Sequence, residues 1–293
     1  MKIRLPNSIK KSFDFVYNFI QQIENHHIFL LSAAITFNII LYTIPLILVS
    51  IFVATRFIDK KSFTELIANL LFSFLPETEG TYFFVSNLLL EIDNIFRVSA
   101  FAGWIGVFFL LWLSSTVFSS LRGSLNVVFN AKSNKIFVFY KLKDIILTIV
   151  LSIFILLLTY LMPLIEIINK FVGKFLPLAI SLILSKMTMQ VFWIVLYFIF
   201  FIFVYKFIPS RHINFKIIII ASAICTVLSE IARMGFTFYL QNFASYSKFY
   251  GTYGLIVSIL IWIYYLIFII LFSAELTLYV FPNLSNTKKY ASD

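Results

Sequence analysis

The feature that most constrains this chain is a series of long apolar blocks separated by short charged stretches. A bilayer hydrocarbon core about 30 Å thick needs roughly 20 apolar residues in one helix. Backbone groups in lipid must be hydrogen-bonded within the chain, and these continuous runs lack the alternation of barrel strands. The sequence therefore predicts an all-α, polytopic membrane protein with six transmembrane helices, at residues 28–54, 98–121, 145–168, 187–208, 217–241 and 255–281.

Composition supports the same fold class. The 293 residues are 61% hydrophobic and 12% charged, with a mean hydropathy of +0.98, whereas an ordinary soluble domain is roughly 25% charged. Six spans with short connections use most of the chain, so we expect a single membrane domain over 1–293. The one cysteine, Cys225, lies in the fifth block, which excludes a disulfide framework and indicates a small packing residue.

The net charge of +10 is explained by orientation in the membrane. Of the Lys and Arg residues in the connections, 14 fall on one side and 8 on the other. The positive-inside rule makes the richer side cytoplasmic, which places both termini and the tail 282–293 in the cytosol. Because the charges are scattered, we expect no nucleic-acid partner. The expected partner is the lipid bilayer, with anionic lipid as a candidate at the basic cytoplasmic loops; the sequence leaves the oligomeric state open.

Two amphipathic segments lie outside the predicted spans. Within 1–27, apolar residues recur at three-and-four spacing beside two lysines, which predicts a helix on the cytoplasmic interface or one packed against the base of the bundle. Residues 55–97 contain two such stripes separated by a turn. They predict an extracytoplasmic helical hairpin that caps the bundle.

Glu230 and Arg233 are energetically costly to place in a membrane span, because both side chains are ionisable. They are three positions apart and therefore neighbours on one helical face. At 1.5 Å per residue from Ile217 they lie roughly 20 and 24 Å into the membrane. Ionisable residues at this depth suggest a solute or proton path. A self-compensated pair that locks helix packing is the structural alternative, and contact with lipid headgroups is a third.

A polar stripe in the first span reaches a similar depth. Asn38, Tyr42 and Pro45 follow the spacing i, i+4, i+7, which puts polar groups and a predicted kink on one face. If this face meets Glu230 and Arg233, the two would line a polar substrate cavity. An ordinary interhelical hydrogen bond and a packing kink would explain the stripe equally simply.

Glu275 and the connection before the last span complete the candidate site residues. Glu275 lies about 9 Å from the cytoplasmic end of its predicted helix, too far from Arg233 for pairing, and Lys143 or Lys216 is the expected partner. A purely structural role is the alternative. The connection FASYSKFYGTYG is rich in tyrosine and glycine. It predicts either an aromatic interface belt or an outer gate loop, formed by Ser245, Tyr246, Tyr250, Gly251 and Gly254.

The order of these features resembles the YihY/BrkB family of bacterial inner-membrane proteins. The resemblance rests on LSAAITFNIILYTIPLILVS, SSLRGSLNVVFNAKSNK, YKFIPSRHINFK, the helix of Glu230 and Arg233, FASYSKFYGTYG, and the closing SAEL. It runs from about residue 20 to 281. The resemblance implies a six-helix protein of the bacterial cytoplasmic membrane, with members linked by name to virulence and with no settled activity.

The label ribonuclease BN, which family members have carried, is not supported by this sequence. A metal-dependent nuclease needs several converging His and carboxylate ligands, whereas this chain has three histidines and no HExxH context. We therefore expect no enzyme activity, no metal and no cofactor. Two functions remain open. One is a permease or flippase-like carrier for a small or amphipathic substrate, which we expect to be anionic. The other is a non-transporting envelope component that binds lipid or partner proteins.

Overall fold

The structure is a computed structural model that describes the backbone of residues 7–57, 100–131, 138–151, 178–243 and 247–282, with isolated positions between 65 and 90 and at 171. The predicted extracytoplasmic hairpin, the C-terminal tail and most of the predicted span 145–168 lie outside the described residues. In the ranges that are described, every regular element is an α-helix. The predicted all-α fold is confirmed.

Seven continuous helical segments lie in the described ranges of the chain. They are α1 (Asn7–Asn25), α2 (Ile28–Phe57), α3 (Ala100–Val128), α4 (residues 138–151), α5 (Leu178–Phe207), α6 (Phe215–Phe243) and α7 (Ser247–Val280). The last three are longer than a bilayer requires, so α5 and α7 begin well before the predicted spans at 187 and 255. Hydrocarbon thickness sets only a minimum length, since helical hydrogen bonds continue to satisfy the backbone beyond it.

Three described segments are long and apolar enough to cross a membrane, namely Ser185–Phe207, Phe215–Tyr239 and Val257–Val280. The segments Phe13–Asn25 and Ile28–Thr43 meet at an angle of 43° and would add a fourth span if counted as one broken helix. Large apolar side chains such as Val227, Ile231 and Phe238 are more than half exposed on the outer face of α6. Their exposure suits a helix whose outer face meets lipid.

Helix α7 holds the described bundle together. It packs against α1, α2, α3 and α6, while α2 also packs along α3 and α5 packs along α6. The tightest packing is at what we call the basal end, where α3, α5 and α7 end and α4 and α6 begin. The core there contains fully buried Leu125, Tyr205, Ile208 and Leu271. The positive-inside rule predicts that this end faces the cytosol.

Two residues at the basal end adopt the left-handed backbone conformation. His27 (φ 50°) separates α1 from α2, and Asn130 (φ 48°) follows the end of α3. The amide of Ala131 donates to the carbonyl of Asn126 over 2.8 Å, which closes the last turn of α3. A left-handed residue after a helix redirects the chain while still satisfying the last carbonyls. These turns return the chain into the bundle at both places.

The N-terminal helix packs against the bundle through one face, as one of its two predictions states. Phe19 and Ile23 of α1 are buried, and the Phe19 ring lies 5.5 Å from that of Phe272 on α7. A neighbouring stripe of α1 remains about half exposed or more, and it comprises Phe13, Val16, Tyr17 and Ile20. Helix α1 is therefore packed against the base of the bundle through one face and has an apolar face left over.

Candidate functional site

The predicted ion pair on α6 is formed. Arg233 donates from Nε to Glu230 Oε2 over 2.9 Å, and its second nitrogen lies 2.8 Å from the same oxygen. The Glu230 side chain is 12% exposed, whereas the Arg233 side chain is 45% exposed. The arginine thus neutralises the carboxylate and still presents about half of its surface outside the packed bundle.

Arg233 belongs to a polar stripe that runs along α6. Ser222, Thr226, Ser229, Arg233 and Thr237 are spaced four, three, four and four residues apart, so they share one helical face. The stripe is buried at its first three positions and exposed at its last two. A phenol on α5, that of Tyr197, interacts electrostatically with the ion pair beside the stripe.

The polar face of α2 does not meet this stripe in the described bundle. Asn38 donates through Nδ2 to Ser120 Oγ on α3 over 2.6 Å, and Tyr42 is half-buried. Helix α2 packs against α3 and α7, and α6 packs against α5 and α7. Helix α7 is therefore the neighbour that α2 and α6 share, while the Asn38 side of α2 contacts α3. Pro45 is part of the continuous helix α2, but its side chain lies outside the described residues.

The predicted outer gate is not a loop over its second half. Tyr250, Gly251 and Gly254 lie in the first turns of α7, which begins at Ser247. A glycine inside a helix costs about 1 kcal/mol relative to alanine. That cost is smaller than the cost of leaving backbone N–H and C=O groups without hydrogen bonds in lipid, which favours a continued helix. Ser245 and Tyr246 lie outside the described residues.

Glu275 has a different partner from the lysines that we expected. Its side chain is fully buried, and one carboxylate oxygen lies 2.8 Å from His26 Nδ1 while the other accepts a hydrogen bond from Gln22 Nε2. Lys143 instead donates to the carbonyl of Pro209, and Lys216 is exposed. The N-terminal helix supplies the partners because α1 folds back onto the end of α7. Glu275 therefore fastens the elbow between α1 and α2 to the last helix.

Sequence reasoning missed a buried ion pair between Arg122 on α3 and Asp144 on α4. Arg122 also donates to the carbonyl of Tyr140 (3.4 Å) and to Ser119 Oγ (3.2 Å), and its guanidinium lies 4.6 Å from the centre of the Tyr140 ring. Asp144 Oδ2 has no hydrogen-bond partner in the structure. The available signal was that both residues border predicted spans that run in opposite directions.

Burial affects the pKa of Asp144 more than its charged partner Arg122 does. Asp144 lies just before the predicted span 145–168. Removal from water raises the pKa of this carboxyl above its ordinary value, although the Arg122 guanidinium acts in the opposite direction. Buried ion pairs commonly behave in this way, because desolvation costs more than the attraction returns.

A second link closes the basal end. Asn126 of α3 donates to Ser210 Oγ over 2.8 Å and accepts from the Ser210 amide over 2.9 Å. Tyr205 donates its hydroxyl proton to the carbonyl of Ile270 on α7 over 2.7 Å. Two of the segments that carry the resemblance, 119–135 and 205–216, therefore contact each other here. Among the residues whose positions are described, no group of three His, Cys, Asp or Glu side chains could hold a metal ion.

Comparison with known proteins identifies relatives along most of the chain. A sequence profile described as virulence factor BrkB matches residues 19–292. A protein named UPF0761 membrane protein from Rhodospirillum centenum is 25% identical over 281 residues, which are 94% of this chain and 59% of that protein. One from Pseudoalteromonas translucida is 32% identical over 94 residues, covering 32% of this chain and 31% of the relative. No solved structure matches.

Proposed function

The chain belongs to the virulence factor BrkB family of membrane proteins, and on that premise we propose that it is a carrier for a small or amphipathic anion in the bacterial cytoplasmic membrane, with both termini in the cytosol. The chain spans 59% of the Rhodospirillum centenum relative and about a third of the Pseudoalteromonas translucida one. The names of these relatives state a membrane location and no activity.

The observation that carries the proposal is the half-exposed side chain of Arg233. It lies roughly 24 Å along α6 from Ile217, in a helix whose apolar residues meet lipid. Exposing a charge at such depth is costly, and the cost is reduced because Glu230 neutralises it across 2.8 Å. A guanidinium held by one carboxylate oxygen keeps donors for a second anion. We therefore assign Arg233 as the anion contact and Glu230 as the group that holds it when no substrate is bound.

The burial pattern of the α6 stripe suggests how the carrier is built. The stripe is sealed from Ser222 to Ser229 and exposed at Arg233 and Thr237. At the basal end, hydrogen bonds join α3 to the α5–α6 connection and α5 to α7. In the proposed mechanism this end forms a rigid base, and substrate reaches Arg233 from the opposite side.

The alternative function is a non-transporting envelope component. Two observations favour it: the hydrogen bonds that join the helices at the basal end, and the contact of Asn38 with α3 instead of with the α6 stripe. In that case the Glu230–Arg233 pair would serve only to hold α6 in place beside Tyr197.

Transport by purified protein in liposomes separates the two functions. Two probes cover the substrate class: fluorescent phosphatidylglycerol, whose movement between leaflets is read by external dithionite, and iodide, read by quenching of an enclosed dye. We expect the wild type to move at least one probe. Arg233→Gln should reduce that flux about tenfold or more, because a charge-assisted hydrogen bond contributes roughly 1.5–3 kcal/mol.

Glu230→Gln provides a directional check. It frees the guanidinium, so the half-saturating concentration of the transported anion should fall while protein stability decreases. Arg211→Gln is the matched control, because Arg211 is an exposed arginine in the α5–α6 connection. A wild type that moves neither probe, or an Arg233→Gln protein that folds and retains full flux, would refute the carrier and leave the envelope role.

A further inference from the structure

Helix α1 presents three different faces, and two of them are readily explained. The face of Phe19 and Ile23 is buried against the bundle, and beside it Tyr279 of α7 donates its hydroxyl proton to the carbonyl of Phe15 over 2.9 Å. A second face is polar and exposed, as is typical of a helix side that meets water. Its residues are spaced four, three and four positions apart, and they are Asp14, Asn18, Gln21 and Asn25.

The third face of α1 is apolar and exposed. It comprises Phe13, Val16, Tyr17 and Ile20, which are 50–66% exposed, and we call it the α1 stripe. Large apolar side chains that lie together on a surface mark contact with a membrane or with another protein. Covering the stripe is favourable in either case, because apolar surface is then removed from water. The position of the stripe in the fold decides between these two partners.

The elbow between α1 and α2 connects the stripe to a surface that meets lipid. The two helices are separated by two residues and are bent by 43°. With the same three-and-four spacing, the side of the α1 stripe continues on α2 as Leu30, Phe37 and Leu41, which are 68%, 61% and 37% exposed. This part of α2 passes the test for a membrane span together with α1, so its outward apolar side chains suit lipid. Exposed Glu24 and His27 interrupt the series only at the elbow.

We propose that the lipid leaflet at the basal end covers the α1 stripe, which lies at the boundary between headgroups and acyl chains. The continuity with the outer side of α2 favours lipid as the occupant. The separate polar face favours it too, because a helix at a membrane surface needs one side for water and one for lipid. The aromatic rings of Phe13 and Tyr17 suit the same boundary. Contacts of α1 with α7 fix which side points outward, and the inference does not depend on transport.

Spin labels on α1 test what covers the stripe. Cys225 is fully buried, so an added cysteine on the surface of α1 can be labelled selectively. Val16→Cys and Ile20→Cys report on the stripe, and Asn18→Cys is the matched control on the polar face between them. Purified protein in lipid nanodiscs is exposed to oxygen, which concentrates in lipid, and to a nickel chelate, which stays in water. The ratio of oxygen accessibility to chelate accessibility should be several-fold higher at both stripe positions than at the control.

Two results would overturn the proposal. An accessibility ratio at the stripe equal to that of Asn18→Cys means that the face meets water. Low accessibility to both reagents means that protein covers the face, and dipolar broadening between labels then identifies a second copy of the chain. Tyr17→Cys lies on the same stripe and replaces either stripe variant that does not fold, so the comparison with the control is always available.

Discussion

Separating the buried pair of Arg122 and Asp144 should destabilise the protein unequally, depending on which partner is removed. Arg122→Met deprives Asp144 Oδ1 of its donor, and Oδ2 has no hydrogen bond to begin with. With the Asp144 side chain 1% exposed, the carboxyl is left buried without a hydrogen bond. Removal of one partner of a buried ion pair costs about 3–5 kcal/mol, and we expect Arg122→Met to lie in that range.

Asp144→Asn should cost less, about 1–3 kcal/mol. The asparagine retains an oxygen that accepts from Arg122, and the guanidinium keeps the Tyr140 carbonyl at 3.4 Å, Ser119 Oγ at 3.2 Å and the Tyr140 ring. Because burial raises the pKa of Asp144 even beside Arg122, desolvation outweighs attraction in this pair. The apolar double variant Arg122→Met/Asp144→Leu should therefore be more stable than Arg122→Met alone, by about 2 kcal/mol.

The assay is reversible unfolding in mixed detergent micelles, followed by tryptophan fluorescence, with exposed Lys206→Gln as the charge-removal control. The reasoning is refuted if Asp144→Asn is the more damaging single substitution. It is equally refuted if Arg122→Met/Asp144→Leu is less stable than Arg122→Met alone, since the second substitution would then add its own loss instead of relieving the first.

Three further predictions use the same unfolding measurement. Glu275→Gln should lower the free energy of unfolding by roughly 1.5–3 kcal/mol, because two hydrogen bonds to a buried carboxylate are weakened. It should also make α1 easier to cleave by protease. Substitution of the exposed Glu24 by Gln should change neither property. Asn38→Leu should lower the free energy of unfolding by about 0.6 and at most about 1.7 kcal/mol. Adding Ser120→Ala should increase this loss only slightly. Fully additive losses would argue against a hydrogen bond between the two side chains. Asn130→Val should cost about 1–2 kcal/mol because φ is 48° there, and Asn130→Gly should be nearly neutral; equal effects would contradict a left-handed turn.

The sequence by itself determined the features that depend on one segment at a time. Block length and hydropathy specify membrane helices, because a helix satisfies its own backbone in lipid. The Glu230–Arg233 pair was predictable for the same reason, since residues three apart on a helix are neighbours whatever surrounds them. The amphipathic face of α1 was also readable, although its division between α7 and an exposed stripe was not.

Only the tertiary structure decided which helix faces meet. Glu275 pairs with residues about 250 positions away, and Asn38 pairs with α3 instead of facing the α6 stripe. Partners of this kind depend on the rotation of each helix about its axis and on the order of helices in the bundle. Nearly uniform hydrophobicity around α5 and α7 gives little indication of either. Packing of shapes and a few buried polar groups settle them, which is why Arg122 and Asp144 became visible as a pair only when α3 and α4 were placed side by side.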